Sequence, residues 1–280
     1  MLIVGISASA RVWGNCESAV KTFLLSASRS GATCEFIRLT DVRIEPCRGC
    51  FKCIPEGGRC PLDDDLYGLL EKISQADGRI LAAPVYFMTP AAGLIALLDR
   101  LLTMGNARVR TKRRAVTVTI MGNSKWRGVA VPIVNVTASL LGFDLVESLE
   151  VEAQGPGEVL LDETNIARLT ELGRLMAEGE HPGASTSVSL CPVCRSDFFR
   201  HEDGDLACPI CGIRIKADRY LRNGVVARLQ GEPRWSLDWL RRHIASWIKV
   251  SIEGYKTTRR RCLEAIKELK RAYDEEIGGS

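Results

Sequence analysis

From its first residue to about residue 180, the chain alternates short apolar runs with amphipathic stretches, and this restricts the fold more than any other feature. Leu2–Ile6, Cys34–Leu39, Arg79–Ala83 (ending at Pro84), Ala115–Ile120 and Leu145–Glu152 have strand character. Between them, Glu17–Ser28, Asp65–Ser74, Ala91–Leu102, Gly128–Leu141 and Thr164–Glu178 carry helical spacing. Asp63 or Asp64 is placed to cap the second helix, and the last presents Ile166, Leu169, Leu172, Leu175 and Met176 on one side. Strands that alternate with helices build a parallel sheet covered on both faces.

Five such strands suit a flavodoxin-like, doubly wound α/β sheet, which receives a ligand at the carboxyl ends of its strands. The chain continues past residue 180. Residues 181–190 have linker composition, Cys191 to residue 216 reads as a small ribbon, and 217–280 as a helical tail. In the tail, Leu237, Leu240, Ile244 and Trp247–Ile248 form one apolar stripe, and Leu263, Ile266, Leu269 and Tyr273 another. Packing against the rest of the protein accounts for both stripes better than a membrane surface does. At 280 residues there is length for one sizeable domain and a smaller one. A net charge of +4 gives no footprint for nucleic acid. No run of about 18 apolar residues occurs to span a membrane, and the amino terminus reads as a first strand, not a signal peptide. The expected location is therefore cytoplasmic. In that reducing compartment, 11 cysteines argue for metal or redox chemistry, not a disulfide framework.

Two groups of cysteines stand out. Cys47, Cys50, Cys53 and Cys60 fall within one loop that also holds Gly49, Gly57 and Gly58. Thiolates this dense suit an iron–sulfur cluster; another metal, redox-active thiols or a disulfide pair are the alternatives. Cys191-Pro-Val-Cys194 and Cys208-Pro-Ile-Cys211 flank a hairpin that turns at Asp203-Gly204-Asp205, between Phe198–Arg200 and Leu206–Ala207. Paired Cys-x-x-Cys knuckles set four thiolates as a tetrahedron and resemble a zinc ribbon, with rubredoxin-like iron as the rival.

Two loops at strand ends carry the remaining chemistry. The first runs Gly5-Ile-Ser7-Ala-Ser9-Ala-Arg11-Val-Trp-Gly-Asn15-Cys16 into a helix. Hydroxyls, an arginine and helix-start amides make an anion site. The spacing matches neither a Walker loop nor a dinucleotide fingerprint, and a single phosphate such as that of FMN fits better; a plain turn with a helix cap is the alternative. The second is Pro84-Val85-Tyr86-Phe87-Met88-Thr89, where Tyr86 can pack on a flat ring and backbone groups can reach its edge; an apolar loop over the core is the alternative. The basic run Arg108, Arg110, Lys112, Arg113, Arg114 reads as a solvated loop, and Arg259–Arg261 as a helix face. There is no Ser/His/Asp or Cys/His triad and no paired carboxylates set up for acid–base work. A flavin site needs none.

These loops, Asp63-Asp64 after the cysteine loop, Leu98-Asp99-Arg100, and Gly155-Pro156-Gly157-Glu158-Val159 together resemble the NADPH-dependent FMN reductase family, in its iron–sulfur flavoprotein branch. The resemblance covers about residues 1–178. It implies noncovalent FMN, a dimer or tetramer, and a [4Fe-4S] cluster on Cys47, Cys50, Cys53 and Cys60. By position, Ser7, Ser9, Arg11, Asn15 and Cys16 would hold the phosphate, and Pro84, Val85, Tyr86, Phe87, Met88 and Thr89 would line the ring. The chain departs from the pattern at Ala10 and Cys16, where relatives carry Pro and Thr. It departs again at Met121-Gly122-Asn123-Ser124-Lys125-Trp126-Arg127, where they are Gly-Gly rich. The expectation is an FMN-dependent oxidoreductase that passes electrons between FMN and the cluster, with NAD(P)H or reduced ferredoxin as donor and zinc in the ribbon. An FMN or quinone reductase without a cluster is one alternative. A redox-responsive zinc-ribbon binding module is another, but Arg195, Arg200 and His201 mix with Asp197, Glu202, Asp203 and Asp205, which argues against nucleic acid as a partner.

Overall fold

The structure is a computed structural model; it describes residues 1–53, 58–106, 113–180, 191, 193–216, 246 and 249–277. Five parallel strands, β1 (Leu2–Ser7), β2 (Thr33–Arg38), β3 (Gly78–Tyr86), β5 (Arg113–Met121) and β6 (Phe143–Glu152), lie in the order β2-β1-β3-β5-β6. A two-residue strand, β4 (Thr89–Pro90), folds back antiparallel onto β3. The helices are α1 (Asn15–Arg29), α2 (Leu66–Gln75), α3 (Ala92–Arg100), α4 (Ala130–Leu140) and α5 (Glu163–Glu178). This is the expected flavodoxin-like order, with the strand reversal beside β1.

The alternation of each strand sends side chains to two cores. Ile3, Ile80, Val116 and Val118 meet Phe23 and Leu24 of α1 and Leu169 and Leu172 of α5. Val4, Ile6, Leu81 and Ala115 meet Leu66 of α2, Leu94 and Leu97 of α3 and Val134 of α4. A Cβ at Gly5 would stand 2.4 Å from Val20, so α1 closes on β1 only because that residue has no side chain.

Several boundaries differ from expectation. β3 runs through Pro84 because the proline pairs in register with Ile120, and its carbonyl accepts from the Ala91 amide at 3.1 Å. Asp65 occupies the cap position of α2 but its side chain makes no cap bond there. Asp64 accepts from Leu66 N at 3.3 Å while spending its carboxylate on Arg100. The basic run is only partly described, and Arg113 is buried, not solvated: it donates to the carbonyls of Ser74 and Ala76 at the end of α2.

The ribbon is a three-stranded sheet, β7 (Arg200–Glu202), β8 (Asp205–Ala207) and β9 (Arg214–Lys216). Its turn is the two residues Asp203 and Gly204, both at positive φ, so β7 begins two residues later than the sequence suggests. The last helix, α6 (Lys249–Ile277), lies against α1 and the 3-10 turn Glu158–Leu161. Its inner face is Tyr255, Thr258, Cys262, Ile266, Leu269 and Tyr273, whereas Leu263 is exposed, contrary to expectation. Residues 181–190, and the stripe from Leu237 to Ile248, lie outside the described residues. Among the described residues no helix is long and apolar enough to cross a membrane.

Candidate functional site

The carboxyl edge of the sheet gathers the loops singled out above. After β1 the chain closes on itself: the Ser9 amide donates to Ser7 Oγ at 3.3 Å, the Arg11 amide to Ser9 Oγ at 3.2 Å, and the Gly14 amide to Arg11 O at 3.1 Å. Gly14 stands at the cap of α1 and offers no side-chain oxygen, so the first-turn amides of this 15-residue helix have no side-chain cap. Uncapped amides, two serine hydroxyls and the exposed Arg11 make donor chemistry that fits a phosphate. Two expected ligands contribute differently. Asn15 turns its side chain away, donating to Gly155 O at 2.9 Å and accepting from Val159 N at 3.2 Å. Cys16 is in the core, and burial pushes its thiol well above its ordinary range, against the opposing charge of Arg11. Only the backbone amides of these two residues can serve an anion.

Beneath the loop lies a group that sequence reasoning missed. Glu17 is fully buried and accepts from Arg38 at 2.7 Å and from Trp13 N at 2.9 Å, with Lys21 at 3.2 Å. Its negative charge in the first turn is thereby neutralised. Lys21 in turn sits over the rings of Trp13, Tyr273 and Phe36, at 3.8, 4.4 and 4.9 Å from their centroids. Burial pulls the Lys21 pKa below its ordinary value, although Glu17 opposes the shift.

Tyr86–Thr89 is a two-residue hairpin whose central residues, Phe87 and Met88, both hold positive φ (46° and 67°). Non-glycine residues keep such angles only where the surroundings over-determine them. Tyr86 and Phe87 present aromatic surface to solvent. The neighbouring loop after β5 supplies the support: Val129 N donates to Met88 O at 2.8 Å, and a Cβ on Gly128 would lie 2.2 Å from Met88. That loop is pinned by Ser124 N to Glu152 at 3.0 Å and by Gln154 Nε2 to Gly122 O at 2.8 Å. Arg11 also donates to Gln154 O at 3.3 Å, so Gln154, another residue the sequence did not flag, ties the first loop to the third.

The cysteine loop leaves the same edge from β2, whose last residue, Arg38, pairs with Ser7. Its two stems are clamped together. Arg43 N donates to Asp65 at 2.8 Å, Glu45 N to Asp64 at 2.9 Å, and Arg100 to both Glu45 O and the Asp64 carboxylate. The Arg100 and Asp64 side chains are 1% and 0% exposed. Burial alone would lower the Arg100 pKa; Asp64, and then the Cys60 sulfur, more than reverse it. Cys60 N donates to Tyr67 Oη at 2.6 Å. Positive φ at Gly49 and Phe51 curls the loop. Cys47 and Cys50 are exposed, Cys53 and Cys60 half-buried.

The knuckle cysteines are gathered. The sulfurs of Cys191, Cys194, Cys208 and Cys211 all lie within 4.8 Å of one another, with Cys191–Cys211 at 3.4 Å and Cys194–Cys208 at 3.6 Å. A tetrahedron of metal–sulfur bonds about 2.3 Å long has edges of about 3.8 Å, so the donor set fits a single ion. The two knuckles repeat one another. Arg195 N bonds Cys191 O and Gly212 N bonds Cys208 O, both at 2.9 Å, and Arg195 and Gly212 both take positive φ. Burial would raise the Cys208 pKa, but hydrogen bonds from the backbone amides of Cys211 and Ile210 and from the neighbouring thiols outweigh it and lower it.

Comparison with known proteins agrees with this geometry. The family model for NADPH-dependent FMN reductase matches residues 1–151. An iron–sulfur flavoprotein of Methanocaldococcus jannaschii is 43% identical over 100 residues, 36% of this chain and 51% of that protein, so the match spans about half the relative's length. A flavone synthase of Aspergillus candidus is 25% identical over 250 residues, 76% of this chain and 77% of that protein. Among solved structures, a flavone reductase covers 100% of this chain and 99% of its own, with a TM-score of 0.59 at 19% identity, which is a likeness of fold. With a flavodoxin-like sheet, an uncapped helix start at its carboxyl edge and a family match over more than half its length, the chain belongs to the NADPH-dependent FMN reductase family of flavin-dependent oxidoreductases.

Proposed function

We propose that the chain binds FMN at the carboxyl edge of its sheet, carries a [4Fe-4S] cluster on Cys47, Cys50, Cys53 and Cys60, and moves electrons between the two, with NAD(P)H or reduced ferredoxin as donor. The observation that carries the reading is the uncapped start of α1 inside a serine- and arginine-bearing loop. In this reading Ser7, Ser9 and Arg11, with the amides of Asn15 and Cys16, hold the phosphate. Pro84, Val85, Tyr86, Phe87, Met88 and Thr89 hold the ring. Bound flavin supplies a carrier of one or two electrons, and a four-iron cluster exchanges one. The buried Asp64–Arg100 clamp gives the loop fixed stems. Cys191, Cys194, Cys208 and Cys211 hold zinc. The domains are 1–180 for FMN with the cysteine loop, 181–190 as linker, 191–216 as ribbon and 217–280 as tail. Membership of this flavoprotein family supports a homo-oligomer, dimer or tetramer, in the cytoplasm.

A second reading, an NAD(P)H-dependent FMN or quinone reductase without a cluster, has its own support. A relative 25% identical along 76% of this chain is named for a flavone, whereas the iron–sulfur flavoproteins it resembles align along 45% of it or less. Iron and labile sulfide analysis of anaerobically purified protein, with Cys50→Ser alongside, separates the two. Under the first, the wild type carries iron and sulfide in equal amounts, and the variant loses both while it keeps flavin-dependent NAD(P)H oxidation. Wild type free of labile sulfide, with turnover unchanged in the variant, establishes the second.

A further inference from the structure

The four-cysteine centre sits against α4. Asn135 of α4 is 1% exposed and donates to Cys194 O at 3.0 Å, while its own oxygen accepts from Thr117 of β5 and from Ser148 of β6 at 3.1 Å. Val136 packs on the cysteines. Arg127 reaches across as well: it donates to Arg195 O at 3.0 Å and Asp197 at 2.7 Å on the ribbon, and to Glu150 of β6 at 2.6 Å. The next residue, Gly128, at φ +51°, is the one pressed against Met88, at the tip of the strained hairpin.

We propose that the metal-loaded four-cysteine centre braces the hairpin Tyr86–Thr89 through Arg127, which makes Arg127 a positioning residue for the flavin ring. The proposal rests on the FMN reading above. A ribbon this small has little core besides the cysteines and the few apolar side chains around them, so the metal decides whether it is folded. When the ribbon is folded, Arg127 donates from Nη1 to the Asp197 carboxylate and from Nη2 to the Arg195 carbonyl, while Glu150 takes Nε and shares Nη2. The backbone at 127–129 is then fixed, and Met88 with it. When the ribbon loosens, Arg127 keeps Glu150 alone. The hairpin then loses the support that holds two non-glycine residues at positive φ.

The test is a double-mutant cycle on the full chain with Cys208→Ser, Arg127→Gln and the pair, which leaves the cysteine loop untouched. Metal content, FMN dissociation constant and the visible circular dichroism of the bound flavin are read for each. Loss of the metal in Cys208→Ser is expected to weaken FMN roughly five- to twentyfold and to change the flavin dichroism, since two hydrogen bonds to a charged group are lost. Arg127→Gln should do the same with the metal retained, and the pair should add less than about twofold to either. Asp197→Asn, a surface change in the ribbon, should move both readouts in the same direction by less. Equal FMN affinity in wild type and Cys208→Ser, fully multiplicative effects in the pair, or metal-free wild type that binds FMN tightly would overturn the proposal. Metal-loaded wild type that binds no FMN would instead overturn the FMN reading on which it rests.

Discussion

Removal of the Asp64 carboxylate is expected to be among the most damaging single changes in the chain. Asp64 accepts from Arg100, from Glu45 N at 2.9 Å and from Leu66 N at 3.3 Å, and neither charged partner sees solvent. In Asp64→Ala the Arg100 charge stays buried with the Glu45 carbonyl as its remaining partner among these. Breaking one side of a buried pair costs about 3–5 kcal/mol, a large share of the roughly 5–15 kcal/mol that holds a domain. Replacing both partners, as Asp64→Leu with Arg100→Met, should recover most of that loss, because the stranded charge goes too. Urea unfolding gives the energies, and the rate at which Cys60 reacts with a disulfide reagent reports whether the stems have parted. The pH dependence follows from the same pair. Burial would raise the Asp64 pKa, but Arg100 and the two amides outweigh it and hold it below its ordinary value. Its contribution is therefore complete above about pH 4, the unfolded value, and is lost as pH falls through the folded one. The gap between wild type and Asp64→Ala should close in acid. A cost under about 1 kcal/mol at neutral pH, with Cys60 reactivity unchanged, would refute the clamp.

Two further outcomes rest on glycines. Gly155→Ala puts a Cβ 1.7 Å from the Tyr255 ring, so it should lift α6, cost about 1–3 kcal/mol and speed proteolysis of the tail; adding Tyr255→Ala should reverse the faster cleavage. Gly204 has nothing within 4 Å but holds φ +83°, so Gly204→Val should cost about 1–2 kcal/mol through the backbone alone and make the ribbon yield its metal to a chelator sooner.

Local pattern revealed the sheet, because strand and helix periods are written in consecutive residues. The five strands, their flanking helices and the gathering of the knuckle cysteines are legible in runs such as Leu2–Ile6 and Ala115–Ile120 and in the Cys-x-x-Cys pairs. What the sequence hid is what long-range partners decide. Pro84 reads as a strand end, yet pairing with Ile120 carries the strand past it. Asn15 and Cys16 sit at phosphate-ligand positions, but Gly155 and Val159 claim one side chain and the core claims the other. Leu263 belongs to an apolar stripe by spacing and faces solvent, because Cys262 meets Gly157 instead. Arg127, Asn135, Gln154 and the Glu17–Lys21 pair carry no motif at all. Each is held by residues far away in the chain, Glu17 by Arg38 and Lys21 by Tyr273 among them.

The central claim is that the uncapped start of α1, with Ser7, Ser9 and Arg11, receives the phosphate of a flavin. Equilibrium titration of the flavin-free full chain with FMN and with riboflavin, which lacks the phosphate, tests it most directly. The account expects saturation at one FMN per chain and riboflavin weaker by at least about tenfold, the value of one or more charge-assisted hydrogen bonds. Equal affinity for the two flavins, or binding of neither, would contradict it.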